Sequence, residues 1–127
     1  MDSDQRFLTQ LRAAFPVLAD RKRVSDGEIR GESHPLMLQT DVDDFDVLPF
    51  YMQWCVRHPG SADWVAEGTL DAIATYGRTN NPRSPYAAVK PRCNERQVLA
   101  IRAFLAWRRD SNTRVDEKRL ERALRYW

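Results

Sequence analysis

The chain has 127 residues, of which 43% are hydrophobic and 30% are charged, and its net charge is +2. This composition excludes a disordered chain and predicts one globular domain, residues 1–127, with a single hydrophobic core. No apolar run approaches the roughly 18 residues of a membrane span. Residues 1–4 are acidic and no apolar signal segment follows them, so a cytoplasmic protein that does not contact a membrane is expected.

The first predicted helix covers residues 4–15, where apolar side chains recur at helical spacing. Ser3 or Asp4 is the expected N-cap, because either side chain can accept a backbone N–H bond. Pro16 is expected to end the helix. The charges and turn residues that follow predict a long irregular segment near residues 20–40. A short strand or turn of helix around Leu36-Met37-Leu38, or a short helix within the segment, stays an alternative.

A second helix is predicted over residues 41–56, because acidic side chains favour a helix start and apolar ones follow. Pro49 either begins a separate helix at its first position or kinks a continuous one. The next helix is predicted to begin with Ser61 as its N-cap and to stop at Gly77. Residues 78–92 contain three prolines, which predict a loop.

The last third of the chain has the clearest pattern. Asn94 and Gln97 have the spacing of a capping box at the start of a long helix. After a turn at residues 110–113, a final helix over residues 115–127 is predicted, with Trp127 packed against the body. Because few segments alternate at period two, the sequence predicts a mainly α, single compact domain of four or five helices.

Three runs of residues in this sequence resemble those of a family of small bacterial proteins of unknown function. The runs are Leu48-Pro49-x-Tyr51, then Gln97-x3-Ile101-x2-Phe104-Leu105, then Leu124-x-Tyr126-Trp127. The resemblance covers residues 41–127 and implies a mostly helical fold that ends in an aromatic pair, with no established catalytic residues. In size and charge the chain is also similar to immunity proteins and antitoxins, which act by occluding a partner.

The acidic segment at the start of the predicted helix 41–56 is the first candidate for a contact surface. Its four carboxylates are close in sequence to Phe45, Tyr51 and Trp54, and such a combination favours binding to a basic protein surface. The predicted partner-binding residues are Asp41, Asp43, Asp44, Asp46, Tyr51 and Trp54. The long loop of residues 20–38 is the second candidate.

The same carboxylates are the best candidate ligands for a metal ion, since hard cations prefer oxygen ligands. An EF-hand is excluded, because Asp46 stands where the loop requires glycine and Met52 stands where it requires glutamate. A metal-dependent hydrolase built on the Asp41–Asp46 cluster would need further carboxylates, such as Glu67 or Asp71. The simpler interpretation is a solvated helix start with no metal.

Other catalytic chemistry has little support in the sequence. Cys55 and Cys93 are not spaced for zinc. Cys55 and His58 could form a thiol nucleophile, but the apolar neighbours of Cys55 predict a buried structural cysteine. The common nucleotide-binding and hydrolase motifs are absent. We therefore expect no enzyme activity, no catalytic residue and no cofactor.

Charge is unevenly distributed along the chain. Residues 1–63 carry 7 basic and 11 acidic side chains, whereas residues 64–127 carry 13 and 7. The basic residues of the last helices are Arg92, Arg96, Arg102, Arg108, Arg109, Lys118, Arg119, Arg122 and Arg125. They allow an alternative function, a helical nucleic-acid-binding domain over residues 94–127. Glutamates alternate with arginines on the last helix, as in exposed ion-paired helices.

The sequence therefore favours a non-enzymatic protein-binding domain. Its expected function is that of an immunity- or antitoxin-like protein, or of a regulatory one, that occludes another protein. A toxin or effector with a basic surface is the expected partner, because it would complement the acidic segment.

Overall fold

Seven α-helices and three 3₁₀ turns make up the regular structure in the computed structural model, which describes residues 2–59, 63–79, 81–110 and 116–127. No strand occurs in these ranges. The helices are α1 (Ser3–Ala14), α2 (Asp26–Gly31), α3 (Asp44–Arg57), α4 (Asp63–Arg78), α5 (Val89–Arg92), α6 (Glu95–Asp110) and α7 (Glu117–Tyr126). The turns are Pro16–Ala19, Pro35–Met37 and Pro85–Ala88.

The mainly α prediction is confirmed, but the predicted number of helices is too low. The segment near residues 20–40 is irregular only in part, since it contains α2 and the turn Pro35–Met37. Ser25 caps α2, because its hydroxyl accepts the Glu28 N–H at 3.1 Å while the Glu28 carboxylate accepts the Ser25 N–H. Likewise, the expected loop over residues 78–92 contains a 3₁₀ turn and α5.

Helix boundaries follow the side chains that satisfy the first backbone N–H groups. Asp2, and neither Ser3 nor Asp4, caps α1, because its Oδ1 accepts the Gln5 N–H at 2.8 Å. The helix ends before Pro16, as predicted. α3 is one continuous helix that contains Pro49, so this proline does not begin a separate helix.

One hydrophobic core holds the helices together. α4 packs against α7, α1 packs against α6, and α3 contacts both α1 and α4. Tyr51, Tyr76 and Phe104 are among its largest fully buried side chains. The predicted capping box of α6 is confirmed by reciprocal 2.9 Å bonds between Asn94 and Gln97. Gln97 Nε2 also donates to Ala14 O at 3.1 Å, which ties α6 to the end of α1.

Trp127 fastens the last helix to α4. Its ring is 7% exposed and its Nε1–H donates to Ile73 O at 2.8 Å, so the predicted packing is confirmed. Gly77 does not end α4, because the helix continues to Arg78. It allows the close approach of Trp127, since a Cβ at this position would lie 2.6 Å from Trp127 Nε1.

Two sequence predictions lie outside the described residues, namely Ser61 as an N-cap and most of the turn at residues 110–113. Among the helices in the described ranges, none is both long enough and apolar enough to cross a membrane.

Candidate functional site

The acidic segment at the start of α3 is partly neutralised within the chain. Asp43 Oδ1 caps the helix by accepting the backbone N–H groups of Phe45 and Asp46, at 2.8 and 3.2 Å. Asp43 Oδ2 also accepts from Arg92 at 3.0 Å, and Asp46 Oδ2 lies 3.4 Å from Arg23 Nη2. Two of the four predicted contact carboxylates therefore have partners inside the molecule.

The remaining carboxylates differ in exposure. Asp41 is exposed and Asp44 is half-buried, and burial together with the Asp43 charge raises the pKa of Asp44. Burial also acts to raise the pKa of Asp43. Hydrogen bonds from Arg92 and from the N–H groups of Asp46 and Phe45 outweigh it and hold the pKa of Asp43 below 3.8.

These opposite shifts predict opposite pH dependence for two neighbouring variants. Because the pKa of Asp43 is lowered by folding, its charge stabilises the fold above about pH 4, and this contribution is lost as the pH falls through the folded value. Asp43→Asn should therefore cost at most about 1 kcal/mol at pH 7, since the side chain is half-exposed. This cost should shrink below pH 4 in urea unfolding measurements.

Asp44→Asn is the matched control for Asp43→Asn. Folding raises the pKa of Asp44, so the charged carboxylate disfavours the fold above about pH 4. On acidification the carboxyl group is protonated and this unfavourable effect is lost. The Asp44→Asn variant should be at least as stable as the wild type at pH 7. Equal pH slopes for the two variants would show that the Arg92 contact does not favour the Asp43 charge.

The two aromatic residues predicted to bind the partner, Tyr51 and Trp54, are core residues. Tyr51 is 0% exposed, and its hydroxyl donates to Glu32 O at 2.7 Å. Trp54 is 6% exposed and lies ten residues after Asp44, which is about 15 Å along a helix. The expectation of exposed aromatic anchors next to the acidic segment is therefore corrected. α3 is buried on nearly all sides from Val47 to Val56, and both side chains lie in this stretch.

Trp54 instead lines a cleft between α2, α3 and α4, which we call the tryptophan cleft. Its volume is about 420 Å³, and it is lined by Arg30, Gly31, Ser33, Trp54, His58, Trp64 and Val65. Trp64 is 83% exposed, the most exposed large apolar side chain among the described residues. The cleft thus combines a buried indole, an accessible indole and a cation.

The wall formed by Trp54 and His58 is held in place by two contacts. The two rings stack with their centroids 4.4 Å apart and an interplanar angle of 23°. His58 Nδ1 lies 2.9 Å from the Trp54 carbonyl oxygen. Since a carbonyl oxygen can only accept, Nδ1 carries the proton in this contact. The wall is therefore pre-organised, which lowers the entropy lost on binding.

A second, smaller cleft of about 260 Å³ shares Trp54 with the first. Arg21, Asp26 and Arg57 are the charged side chains that line it. The Trp54 indole N–H is buried and has no hydrogen-bond acceptor among the residues that the structure describes. Trp54 is thus a wall common to both clefts and carries an unsatisfied donor.

Gly68 allows the chain after α2 to lie directly against α4. A Cβ at this position would be 2.3 Å from Ser33 O, so only glycine permits the approach. The next residue, His34, then reaches Asp71 through Nε2 at 2.7 Å, while its Nδ1 accepts the Leu36 N–H at 3.2 Å. Both ring nitrogens are occupied, so this histidine serves packing and is not placed as a general base.

Much of the basic surface predicted on the last helices is used inside the fold. Arg108 is 2% exposed and donates to Glu67 at 3.1 Å, and Arg119 lies 3.3 Å from Glu67 and 3.6 Å from Asp71. Arg102 donates to a Trp127 backbone oxygen at 3.0 Å. The carboxylates Glu67 and Asp71, which a two-metal site would recruit, are thus already paired with cations.

Exposed basic residues remain on α7, where Lys118, Arg122 and Arg125 share the surface with Glu117 and Glu121. Within the described ranges, no group of three or more histidine, cysteine, aspartate or glutamate residues could hold a metal ion.

Cys55 is buried, as the sequence predicted, and its Sγ lies 3.8 Å from Thr69 Oγ1. Burial raises its pKa to about 12, outweighing the hydrogen bond with Thr69. Burial likewise raises the pKa of Cys93 to about 11. Thiols that keep their protons at neutral pH are poor nucleophiles, so the geometry does not form an activated cysteine.

Trp64 is not among the contact residues predicted from the sequence. A local signal existed, because Trp64 lies on the same helical stripe as Asp71, Thr75 and Arg78, at spacings of seven, eleven and fourteen residues. A large apolar residue on a polar stripe is a candidate for contact with another molecule.

Compared with protein-family models, with curated proteins and with solved structures, the chain matches none. The resemblance of residues 41–127 to a small bacterial family stays a prediction. The tryptophan cleft is accordingly the basis for a proposal of function.

Proposed function

We propose that this chain is a non-enzymatic protein-binding domain that contacts its partner through the tryptophan cleft. The observation that carries the proposal is the 83% exposure of Trp64 in the same cleft as buried Trp54 and partly buried His58. Tryptophan is enriched at the energetic centres of protein interfaces, where it packs into or beside a pocket. An isolated indole this exposed gains nothing for the fold from its apolar surface.

The shape of the cleft also supports binding of a protein side chain. A volume of about 420 Å³ lies at the small end of the usual range for binding pockets and suits one or two side chains. Val65 and Trp54, both at least nine-tenths buried, provide firm apolar walls. An interface centred here would bury Trp64 and bring the partner against α2, α3 and α4.

A protein that occludes another protein, of the immunity, antitoxin or regulatory kind, is the functional class that fits such a site. No step in this role requires a nucleophile or a metal. As part of the same proposal, we place the chain in a reducing compartment such as the cytoplasm, because Cys55 and Cys93 are free thiols.

Trp64→Ala should remove partner binding without affecting the fold. We expect the tagged wild type to capture a stoichiometric protein from nuclease-treated lysate of its own cell, and the variant to capture at least about tenfold less. Its free energy of unfolding should change by no more than about 0.5 kcal/mol, because the ring is exposed. Quantitative mass spectrometry of the eluates measures the first effect.

Leu99→Ala is the matched control, since Leu99 is a 54% exposed apolar residue on α6, outside the cleft. It should capture the same protein as the wild type. Equal capture by the Trp64 variant would contradict the proposal. Recovery of nucleic acid in place of a protein, when nuclease is omitted, would support binding by the basic residues of α7.

A further inference from the structure

We propose that the partner segment held by the tryptophan cleft is acidic, with an apolar side chain placed next to one or more carboxylates. This inference rests on the proposed function and specifies the chemistry of the partner. It is carried by the charges that surround Trp54.

Three arginines surround the shared wall of the two clefts. Arg30 lines the tryptophan cleft, and Arg21 and Arg57 line its smaller neighbour. Among the described residues that line either cleft, Asp26 is the one acidic side chain. The surroundings of Trp54 are therefore electropositive, opposite in sign to the acidic segment at the start of α3.

These arginines are not neutralised by the fold. Within the described ranges, no carboxylate lies within 4.0 Å of Arg21, Arg30 or Arg57. Arg92 and Arg119, by contrast, are paired with Asp43 and Glu67. Guanidinium groups without a partner, beside an apolar cleft, are suited to carboxylates of another molecule.

The apolar walls of the cleft add a second requirement. Trp54 and Val65 are both at least nine-tenths buried and line it. Charge therefore favours an acidic segment, and the apolar walls favour a phenylalanine, leucine or tryptophan within it.

A single-stranded nucleic acid also combines negative charge with flat rings, but the cleft suits it less well. Such ligands need successive exposed rings on which bases stack. Among the described lining residues, Trp64 is the one aromatic ring that is mostly exposed, because Trp54 is buried and stacked on His58. A protein segment with one apolar side chain fits this arrangement.

Selection from a random dodecapeptide library displayed on phage tests the inference, with the full chain as bait. We expect enriched peptides to carry an aromatic residue or leucine beside aspartate or glutamate. A synthetic copy of the most enriched peptide should bind at least about tenfold more weakly to Arg30→Glu/Arg57→Glu, as measured by fluorescence anisotropy. Arg78→Glu, which reverses an exposed charge on α4 outside both clefts, should bind like the wild type.

The inference would be overturned by enrichment of basic or neutral peptides, by no enrichment at all, or by acidic peptides that bind the double variant as tightly as the wild type. The inference would also be overturned if the selection yields no acidic peptides and a labelled twelve-nucleotide oligothymidylate binds in a way that depends on Trp64. The double variant should stay folded, with a melting temperature lowered by no more than about 5 °C, since both arginines are exposed and each lies in the last turn of its helix.

Two results distinguish a failure of this inference from a failure of the proposed function. If Trp64→Ala abolishes capture of the natural partner while selected peptides are basic, the cleft binds protein but not an acidic segment. If Trp64→Ala leaves capture unchanged, the cleft is not the contact surface.

Discussion

Trp127→Ala is expected to lower the free energy of unfolding by about 3–5 kcal/mol, the largest effect among the substitutions considered. The indole is 7% exposed, and its N–H donates to Ile73 O inside α4. Lys90 lies 5.7 Å from the centroid of this ring and donates to Tyr126 O. Loss of the ring would leave a cavity beside Gly77 and remove the hydrogen bond that joins the end of the chain to α4.

Urea unfolding followed by circular dichroism measures this cost. Trp64→Ala is the matched control, because the same side chain is removed from an exposed position and should cost no more than about 0.5 kcal/mol. Trp127→Phe should fall between them, since it keeps part of the apolar contact and loses the hydrogen bond. Similar costs for the two alanine variants would show that Trp127 does not fasten the last helix.

Glu67→Ala is expected to lower the free energy of unfolding by about 1.5–3 kcal/mol. Arg108 is 2% exposed, and Glu67 Oε1 is 3.1 Å from its Nη2. Glu67 Oε2 also lies 3.3 Å from Arg119, so one carboxylate links α4 to α6 and α7. Removing it leaves a buried guanidinium with less compensating negative charge, although Arg108 keeps other contacts.

The double variant Glu67→Ala/Arg108→Met separates the charge effect from packing. Because it removes both charges, it should be more stable than Glu67→Ala alone. Glu121→Ala, an exposed glutamate on α7, should cost less than about 0.5 kcal/mol in the same urea measurements. If Glu67→Ala costs no more than this control, Glu67 does not stabilise the buried arginine.

The elements predicted well from the sequence are those with strong local signals. α1, α3, α6 and α7 have apolar residues at helical spacing over ten or more positions, and the Asn94–Gln97 pair marks the start of α6. α2 was missed because it has six residues, of which Ile29 alone is buried apolar. α5 has four residues and contains a proline, so the sequence around it is typical of a loop.

The site was harder to predict because its parts are distant in sequence. Arg30, Trp54 and Trp64 come from three helices, and only the packing of α2 and α4 on α3 brings them together. The carboxylates at the start of α3 were visible, but their partners Arg23 and Arg92 lie 23 and 49 residues away. Local patterns show charges, whereas tertiary contacts decide which of them stay unpaired.

Hydrogen–deuterium exchange on the complex with the captured partner tests the tryptophan cleft most directly. The proposal predicts slower amide exchange at residues 29–34, 54–59 and 63–66 in the complex than in the free protein. Protection confined to residues 41–46 would identify the acidic segment as the contact surface and contradict the proposal. Protection confined to residues 117–126 would also contradict the proposal and would identify α7 as the contact surface.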